Sequence, residues 1–344
     1  MASRRLATWL GAPWWIIQLA TGAKSFVDNP LIGSAALNRR GLHLARVSLA
    51  HRLASWRRQR LAGRLCLEDR LAFDRDGIVE IRDFLAADEF ERLRDALLSN
   101  EFEAREHRQG DTITRRVAIG PQMLATVPGL SDLLSGRRWR GLMNYVAGTR
   151  AEPIYYLQTI IAGTEGEAAD PQTDIHSDSF QPSLKAWLFL TSVADDDRPL
   201  TYVPGSHRLD PPRKAWEREK SVTVLESGDR LSQRGSLRIN STELSGLGLP
   251  QPHRFAVPAN TLVVADTYGF HARADSDRPT IRIEIFAYCR RSPFLPWTGF
   301  DLLSLPGLAE RRAIWAAAAI DWLDRHGWRR QHWAKVGRKR ATDQ

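Results

Sequence analysis

From Pro153 to Cys289 the sequence breaks into short β-branched and aromatic runs: PIYYLQTIIAG, SLKAWLFLTSV, RPLTYVPGS, HRFAVP, NTLVVADTYGF and TIRIEIFAYC. Clusters of Gly, Pro and Asp separate them. Six short strands at this spacing predict an antiparallel barrel or jelly roll. The stretch 209–252 interrupts the rhythm with Pro211, Pro212, Gly228, Gly235 and Gly248, and reads as an insertion over one mouth of that barrel.

The flanks read as helical. Residues 71–85 place an Asp-Gly turn before a β-prone run, and a helix follows with Asp88 as N-cap and Phe90, Leu93 and Leu97 on one face. Between about 100 and 150 the pattern supports only short helices. Upstream, Leu42, Ala45, Leu49, Leu53 and Trp56 recur at helical spacing beside Arg46, Arg52, Arg57 and Arg58. That helix either packs on the domain with a solvated basic face or lies on anionic lipid. The resulting division is a basic helical extension (1–70), a barrel domain (71–309, with the insertion) and a basic amphipathic C-terminal helix (310–344).

Charge supports the same division. The net charge is +9, yet residues 1–70 hold 12 Lys and Arg against 3 Asp and Glu, and residues 310–344 hold 9 against 4, so the centre is mildly acidic. Eight of the 12 tryptophans also lie in the ends: Trp9, Trp14, Trp15, Trp56, Trp315, Trp322, Trp328 and Trp333. Indole rings settle at headgroup depth while Lys and Arg meet phosphates, so this mixture suits an anionic membrane surface. Basic charge alone also suits nucleic acid, but no nucleic-acid partner is expected here. The apolar stretch 6–20, preceded by Arg4 and Arg5, is too short to span a bilayer. It reads as an interfacial anchor, a buried segment or a cleaved signal. Two cysteines, Cys66 and Cys289, give no disulfide framework and fit a reducing compartment.

The chemistry concentrates in Thr173–Asp178, TDIHSD. His176 and Asp178 are two apart, so on a strand or its fraying end both side chains reach the same face. His271, read at the end of the run NTLVVADTYGF, supplies a third donor. Two His and one carboxylate on one face of an octahedron form the donor set associated with non-haem iron(II) oxygenases. Arg282 follows His271 by 11 residues, on the next strand, where Glu284 and Phe286 share its face. Arginine suits a carboxylate, which it grips with two parallel hydrogen bonds.

The segments DGIVEIRDFL, LQTIIAG, HSD, TYVPGSHR and ADTYGFHARADSDRPTIRIEIFAY resemble the phytanoyl-CoA dioxygenase family over roughly residues 71–292. The resemblance implies a double-stranded β-helix with helices packed outside. It implies iron(II) held by His176, Asp178 and His271, with Arg282 on the far carboxylate of 2-oxoglutarate and Gln158 assisting that cosubstrate. Dioxygen is the oxidant, and Asp178 favours hydroxylation over halogenation. Pro204–His207 is a family turn, and His207 reads as structural. The turn before the last His-bearing strand departs from the family pattern as Val-Pro-Ala-Asn260, and Asp197-Arg198 departs ahead of PGSH.

Three functions follow as expectations. The first is a hydroxylase of a lipid or glycolipid, such as a lipopolysaccharide sugar acid or an acyl chain, held peripherally on the cytoplasmic face of an inner membrane. The second is a soluble small-metabolite hydroxylase of the same mechanism. The third is a non-enzymatic membrane-binding scaffold with a vestigial barrel. Lys185 and Trp187 read as cavity-facing, core or solvent residues. Arg213, Lys214, Arg218 and Lys220 read as a solvated run or as contacts to an anionic substrate.

Overall fold

The computed structural model describes residues 13–163, 170–276 and 278–343. Arg4, Arg5 and Trp9 lie outside the described residues. Eight antiparallel strands form the larger sheet: β1 (Ile78–Ile81), β2 (Glu101–Gln109), β3 (Thr112–Ala118), β4 (Ile154–Ala162), β5 (Leu184–Phe189), β8 (Leu262–Asp266), β10 (Thr280–Cys289) and β11 (Ala334–Arg340). Their spatial order is β1-β8-β5-β10-β4-β3-β2-β11. A smaller sheet joins β7 (His253–Arg254), β6 (Leu200–Tyr202) and β9 (His271–Arg273) in that order.

Period-two alternation decides what each face of the larger sheet meets. Ile283, Ile285 and Ala287 on β10, Leu184, Ala186 and Leu188 on β5, and Leu262 and Val264 on β8 pack into the core shared with the outer helices. Their neighbours Phe286, Trp187, Phe189, Val263 and Ala265 turn the other way and meet Leu200 and Tyr202 of the smaller sheet. Two sheets therefore close on a second core, and helices cover the outside, as the double-stranded β-helix requires. Helices make up 39% of the described residues, so "mainly β" describes the barrel and not its wrapping.

Four expectations are corrected. Residues 101–118 form a β-hairpin, not short helices. Five charged residues in the run EFEAREHRQ hide the strand signal, which comes from pairing with β3 and β11 on either side. His271 does not end the NTLVVADTYGF strand: β8 stops at Asp266, and His271 opens β9 in the other sheet. In the segment 310–344 the helix runs only from Arg312 to Arg325, and Ala334–Arg340 adds a strand to the edge of β2. Finally, the division at residue 70 falls inside the helix Leu67–Asp76, whose Phe73 is core.

The helix Leu42–Leu61 buries the opposite stripe from the expected one. His43, Arg46, Val47, Ala50, Ala54, Arg57 and Leu61 face the protein, while Leu49 and Trp56 are exposed. Arginine is tolerated inside because carbonyls take its donors. Arg46 donates to the Leu19, Thr21 and Ala23 carbonyls, and Arg57 to those of Gly148, Pro293 and Leu295. Phe26 and Ile32 share a core with Trp216, Leu237 and Ile239 of the excursion between β6 and β7. The N-terminal segment is thus built into the fold from its mid-twenties onward. Among the described residues no helix is long and apolar enough to cross a membrane. The helix ahead of β2 (Ala87–Ser99) is capped at Ala86, and Asp88 sits in its first turn, paired with Arg92.

Candidate metal centre

His176, Asp178 and His271 come together at the end of the barrel where the two sheets meet. One donor atom from each lies within 4.8 Å of the others. His176 and His271 are bridge partners, and the backbone N–H of Asp178 donates to the Thr267 carbonyl, so three short backbone links fix all three side chains. The turn that delivers His271 passes so close to Tyr202 that a Cβ on Gly269 would lie 1.9 Å from its hydroxyl oxygen. Tyr202 in turn donates to the Asp266 carbonyl at 2.9 Å. Glycine is required there by close approach.

The donor set is preset for a cation. Nδ1 of His176 lies 2.7 Å from the Asp174 carbonyl and Nδ1 of His271 lies 2.9 Å from that of Gly269. A carbonyl can only accept, so each imidazole keeps its proton on Nδ1 and offers Nε2 as a lone pair. The buried Nε2 of His271 has no hydrogen-bond partner. Asp178 Oδ1 lies 3.7 Å from that atom and 3.9 Å from His176 Nε2. Burial, reinforced by His271, holds the His176 imidazole well below its usual pKa and therefore neutral. Burial opposes ionisation of Asp178, but Lys185 and both imidazoles outweigh it and keep the carboxyl well below the usual range. Two imidazole nitrogens and one carboxylate oxygen, with an unsatisfied buried atom among them, fit a non-haem iron(II) ion.

The three donors line a cavity of about 260 Å³ together with Gln158, Lys185, Trp187, Arg116, Arg273 and Arg282. Lys185 Nζ is 2.7 Å from Asp178 Oδ2, and so both Lys185 and Trp187 face the cavity. Arg282 is held on two sides: NH1 donates to the Arg198 carbonyl at 2.7 Å and Nε pairs with the wholly buried Glu284 at 2.8 Å. Gln158 sits opposite Glu284 across β4 and β10 and donates to it at 2.6 Å. Residues fit 2-oxoglutarate here: Arg282 would take a carboxylate and Gln158 stands beside it. Arg198 and Asn260 mark the two departures from the family pattern. Both have positive φ, and Asn260 anchors Leu85 by accepting from its N–H and donating to its carbonyl.

Sequence reasoning missed Lys24, Glu284 and Arg116. Lys24, from the N-terminal connector, donates to the Asp178 carbonyl at 2.6 Å, and burial together with Arg290 brings its ammonium down to about 8. No local signal marks it, since its partner is 154 residues away. Glu284 was legible only as a neighbour of Arg282. His207 stays outside the centre, buried against Phe73. Arg213 is neither solvated nor in the cavity: it is buried with Glu217 at 3.2 Å and stacks on Phe270.

The sequence pattern of the phytanoyl-CoA dioxygenase family matches residues 73–231. No curated protein matches the chain. Among solved structures, the chain is similar to the epimerase SnoN in complex with Fe3+, alpha ketoglutarate and nogalamycin RO, at 22% identity and a TM-score of 0.44, over 69% of this chain and 92% of that one. HygX from Streptomyces hygroscopicus with nickel and 2-oxoglutarate bound is 15% identical over 65% of this chain and 86% of its own, with a TM-score of 0.39. EctD from S. alaskensis with bound Fe is 18% identical over 65% and 76%, with a TM-score of 0.36.

Proposed function

We propose that this chain, whose residues 73–231 match the phytanoyl-CoA dioxygenase family, is an iron(II)- and 2-oxoglutarate-dependent dioxygenase that hydroxylates a C–H bond of a membrane-associated lipid or glycolipid. Hydroxylation is favoured because Asp178 fills the carboxylate position of the donor set. The observation that carries the lipid reading is the exposure of Trp14, Trp56, Trp315, Trp322 and Trp328, all in the two basic ends of the chain. Indole rings left in water at this density find a lower free energy at headgroup depth, with Arg and Lys on lipid phosphates. The protein would then sit peripherally on the cytoplasmic face of the membrane.

When bound, iron and 2-oxoglutarate supply the oxidising power that removes hydrogen from an unactivated C–H bond. The chain's own residues set position. His176, Asp178 and His271 would hold the metal, with the Nδ1 atom of each imidazole on a backbone carbonyl. Lys185 keeps Asp178 ionised and turned toward the histidines. Arg282, fixed by Glu284 and the Arg198 carbonyl, would take a carboxylate of the cosubstrate. Trp187 and Phe286 wall the cavity and keep water from the reacting carbon.

A second reading, a soluble hydroxylase of a small metabolite, is favoured by the cavity itself, which is small and lined by charged groups. The two are separated by incubating protein with iron(II), 2-oxoglutarate and a total lipid extract, admitting air and seeking a lipid heavier by one oxygen atom. A shifted species from the soluble metabolite pool and none from lipid overturns the lipid reading. The third expectation, a vestigial scaffold, is set aside by the family match and the intact donor set.

A further inference from the structure

Four cationic side chains other than the histidines line the iron cavity, and three are neutralised by a carboxylate. Lys185 pairs with Asp178 at 2.7 Å, Arg273 with Asp170 at 2.7 Å and Arg282 with Glu284 at 2.8 Å. The fourth, Arg116, forms no ion pair among the described residues. Its Nε donates to Gln158 Oε1 at 2.7 Å, and its guanidinium carbon lies 4.7 Å from the ring centroids of Phe286 and Trp333 and 5.1 Å from that of Tyr156. Burial draws it down to about 10, which leaves it charged at neutral pH. A charged guanidinium boxed by aromatic faces and lacking a counter-ion is a built receptor for an anion.

Arg116 and Trp333 also line a second cavity, of about 400 Å³, on the side away from the metal. This groove runs between the sheet and the C-terminal helix Arg312–Arg325, and its walls are mostly apolar, with Ala104, Ala118, Ala317 and Ile320 among them. The helix sequence AIWAAAAI explains the groove, because alanines opposite β2 to β4 leave open the space larger side chains would fill. Asp321 pins the helix in place by accepting from Arg105 at 2.9 Å and Gln331 at 2.8 Å. A polar, metal-bearing chamber and an apolar groove thus share one cationic junction.

We propose that groove and chamber are one substrate channel: Arg116 binds a carboxylate or phosphate on an amphiphilic substrate, the hydrocarbon part lies in the groove under the C-terminal helix, and the polar part enters the iron cavity. The proposal rests on the oxygenase reading of the iron site and adds the chemical class of its substrate. It places the oxidised C–H bond near the anionic group and not at the far end of the chain.

The test uses full-length protein loaded anaerobically with iron(II) and 2-oxoglutarate, with monomeric dodecanoate, dodecyl phosphate and dodecanol as probes. Binding is read by quenching of tryptophan fluorescence, since Trp333 flanks the junction. Both anions are expected to bind at least about tenfold more tightly than dodecanol, the worth of one charge-assisted hydrogen bond. Arg116→Gln removes that preference, and Ala317→Trp weakens dodecanoate while leaving butyrate unchanged. Equal binding of the three probes, or loss of 2-oxoglutarate affinity in Arg116→Gln with the anion preference intact, overturns the proposal. Separate arms with phosphatidic acid vesicles and with monomeric dodecanoate tell a membrane lipid from a free amphiphile. Visible absorption of the iron(II)–2-oxoglutarate chelate is recorded in every sample: its absence defeats the oxygenase reading, whereas its presence without amphiphile binding defeats only the channel.

Discussion

His176 and His271 exchange both backbone hydrogen bonds with each other, at 3.0 Å from His176 N and 2.9 Å from His271 N. A pair bonded this way carries its side chains on the same side of the ladder, and the two rings stand 4.6 Å apart between centroids. The geometry of the candidate metal site is therefore set by backbone pairing. Replacing His271 by Ala leaves that pairing intact, so the metal-free variant should melt near the parent temperature. What it should lose is the rise in stability on adding iron(II), about 3 kcal/mol at a hundredfold excess over Kd for one site. Thermal melts with and without iron decide it. A variant that still gains stability from iron would mean the metal binds elsewhere.

Arg282 and Glu284 form a buried ion pair in which the carboxylate has no exposure to water. Removing only one partner strands the other's charge. Arg282→Met should destabilise the fold by about 3–5 kcal/mol, and adding Glu284→Gln in the same chain should recover most of the loss. Urea denaturation of the two singles and the double gives the coupling energy. Additive effects would show that the pair contributes nothing as a pair.

Much of the site could be read in advance because its donors obey short rules. His176 and Asp178 are two apart, and Arg282 shares a strand face with Glu284 and Phe286. The barrel strands Ile154–Ala162, Leu184–Phe189 and Thr280–Cys289 were legible for a similar reason, since each is a mostly buried run rich in β-branched and aromatic residues and bounded by turn residues. Strand β11 was not, because its pairing with β2 joins residues more than two hundred apart in sequence, and the hairpin β2–β3 was hidden by its charged residues. The buried face of Leu42–Leu61 was misread for a different reason. Its buried Arg46 and Arg57 donate to carbonyls at distant turns, and a periodicity rule counts every arginine as solvent-facing.

His207 offers a pH test independent of the metal. Burial pushes its imidazole down to about 4, and its ring packs on Phe73 with Nδ1 unpartnered. The unfolded chain takes up this proton near pH 6.5 while the folded chain refuses it, so stability falls as pH drops from 6.5 toward 4. At pH 5 the loss from this one group is about 2 kcal/mol. His207→Leu removes the proton-binding difference, and its stability should decline less between pH 7 and pH 5 by that amount. Urea midpoints at the two pH values measure it. Parallel decline in parent and variant would rule out His207 as a source of the acid sensitivity.

The C-terminal strand β11 covers the edge of β2 and continues into Ala341, which is buried. Beyond the ladder, the Ala341 carbonyl accepts from Thr159 Oγ1 at 2.8 Å, and the Asp343 carbonyl accepts from Arg115 NH1 at 2.5 Å. Deleting residues 334–344 removes the ladder and both anchors and uncovers an unpaired strand edge, the arrangement that recruits other chains. With each lost hydrogen bond worth about 1 kcal/mol net, the deletion should lower stability by several kcal/mol. It should also raise light scattering on mild heating. Trp333 and the groove-forming helix remain in this deletion, while Lys335, which lines the groove and pairs with Asp321 at 3.1 Å, is lost with the strand. A truncated protein that melts like the parent and scatters no more light would show that β11 merely rests on the sheet.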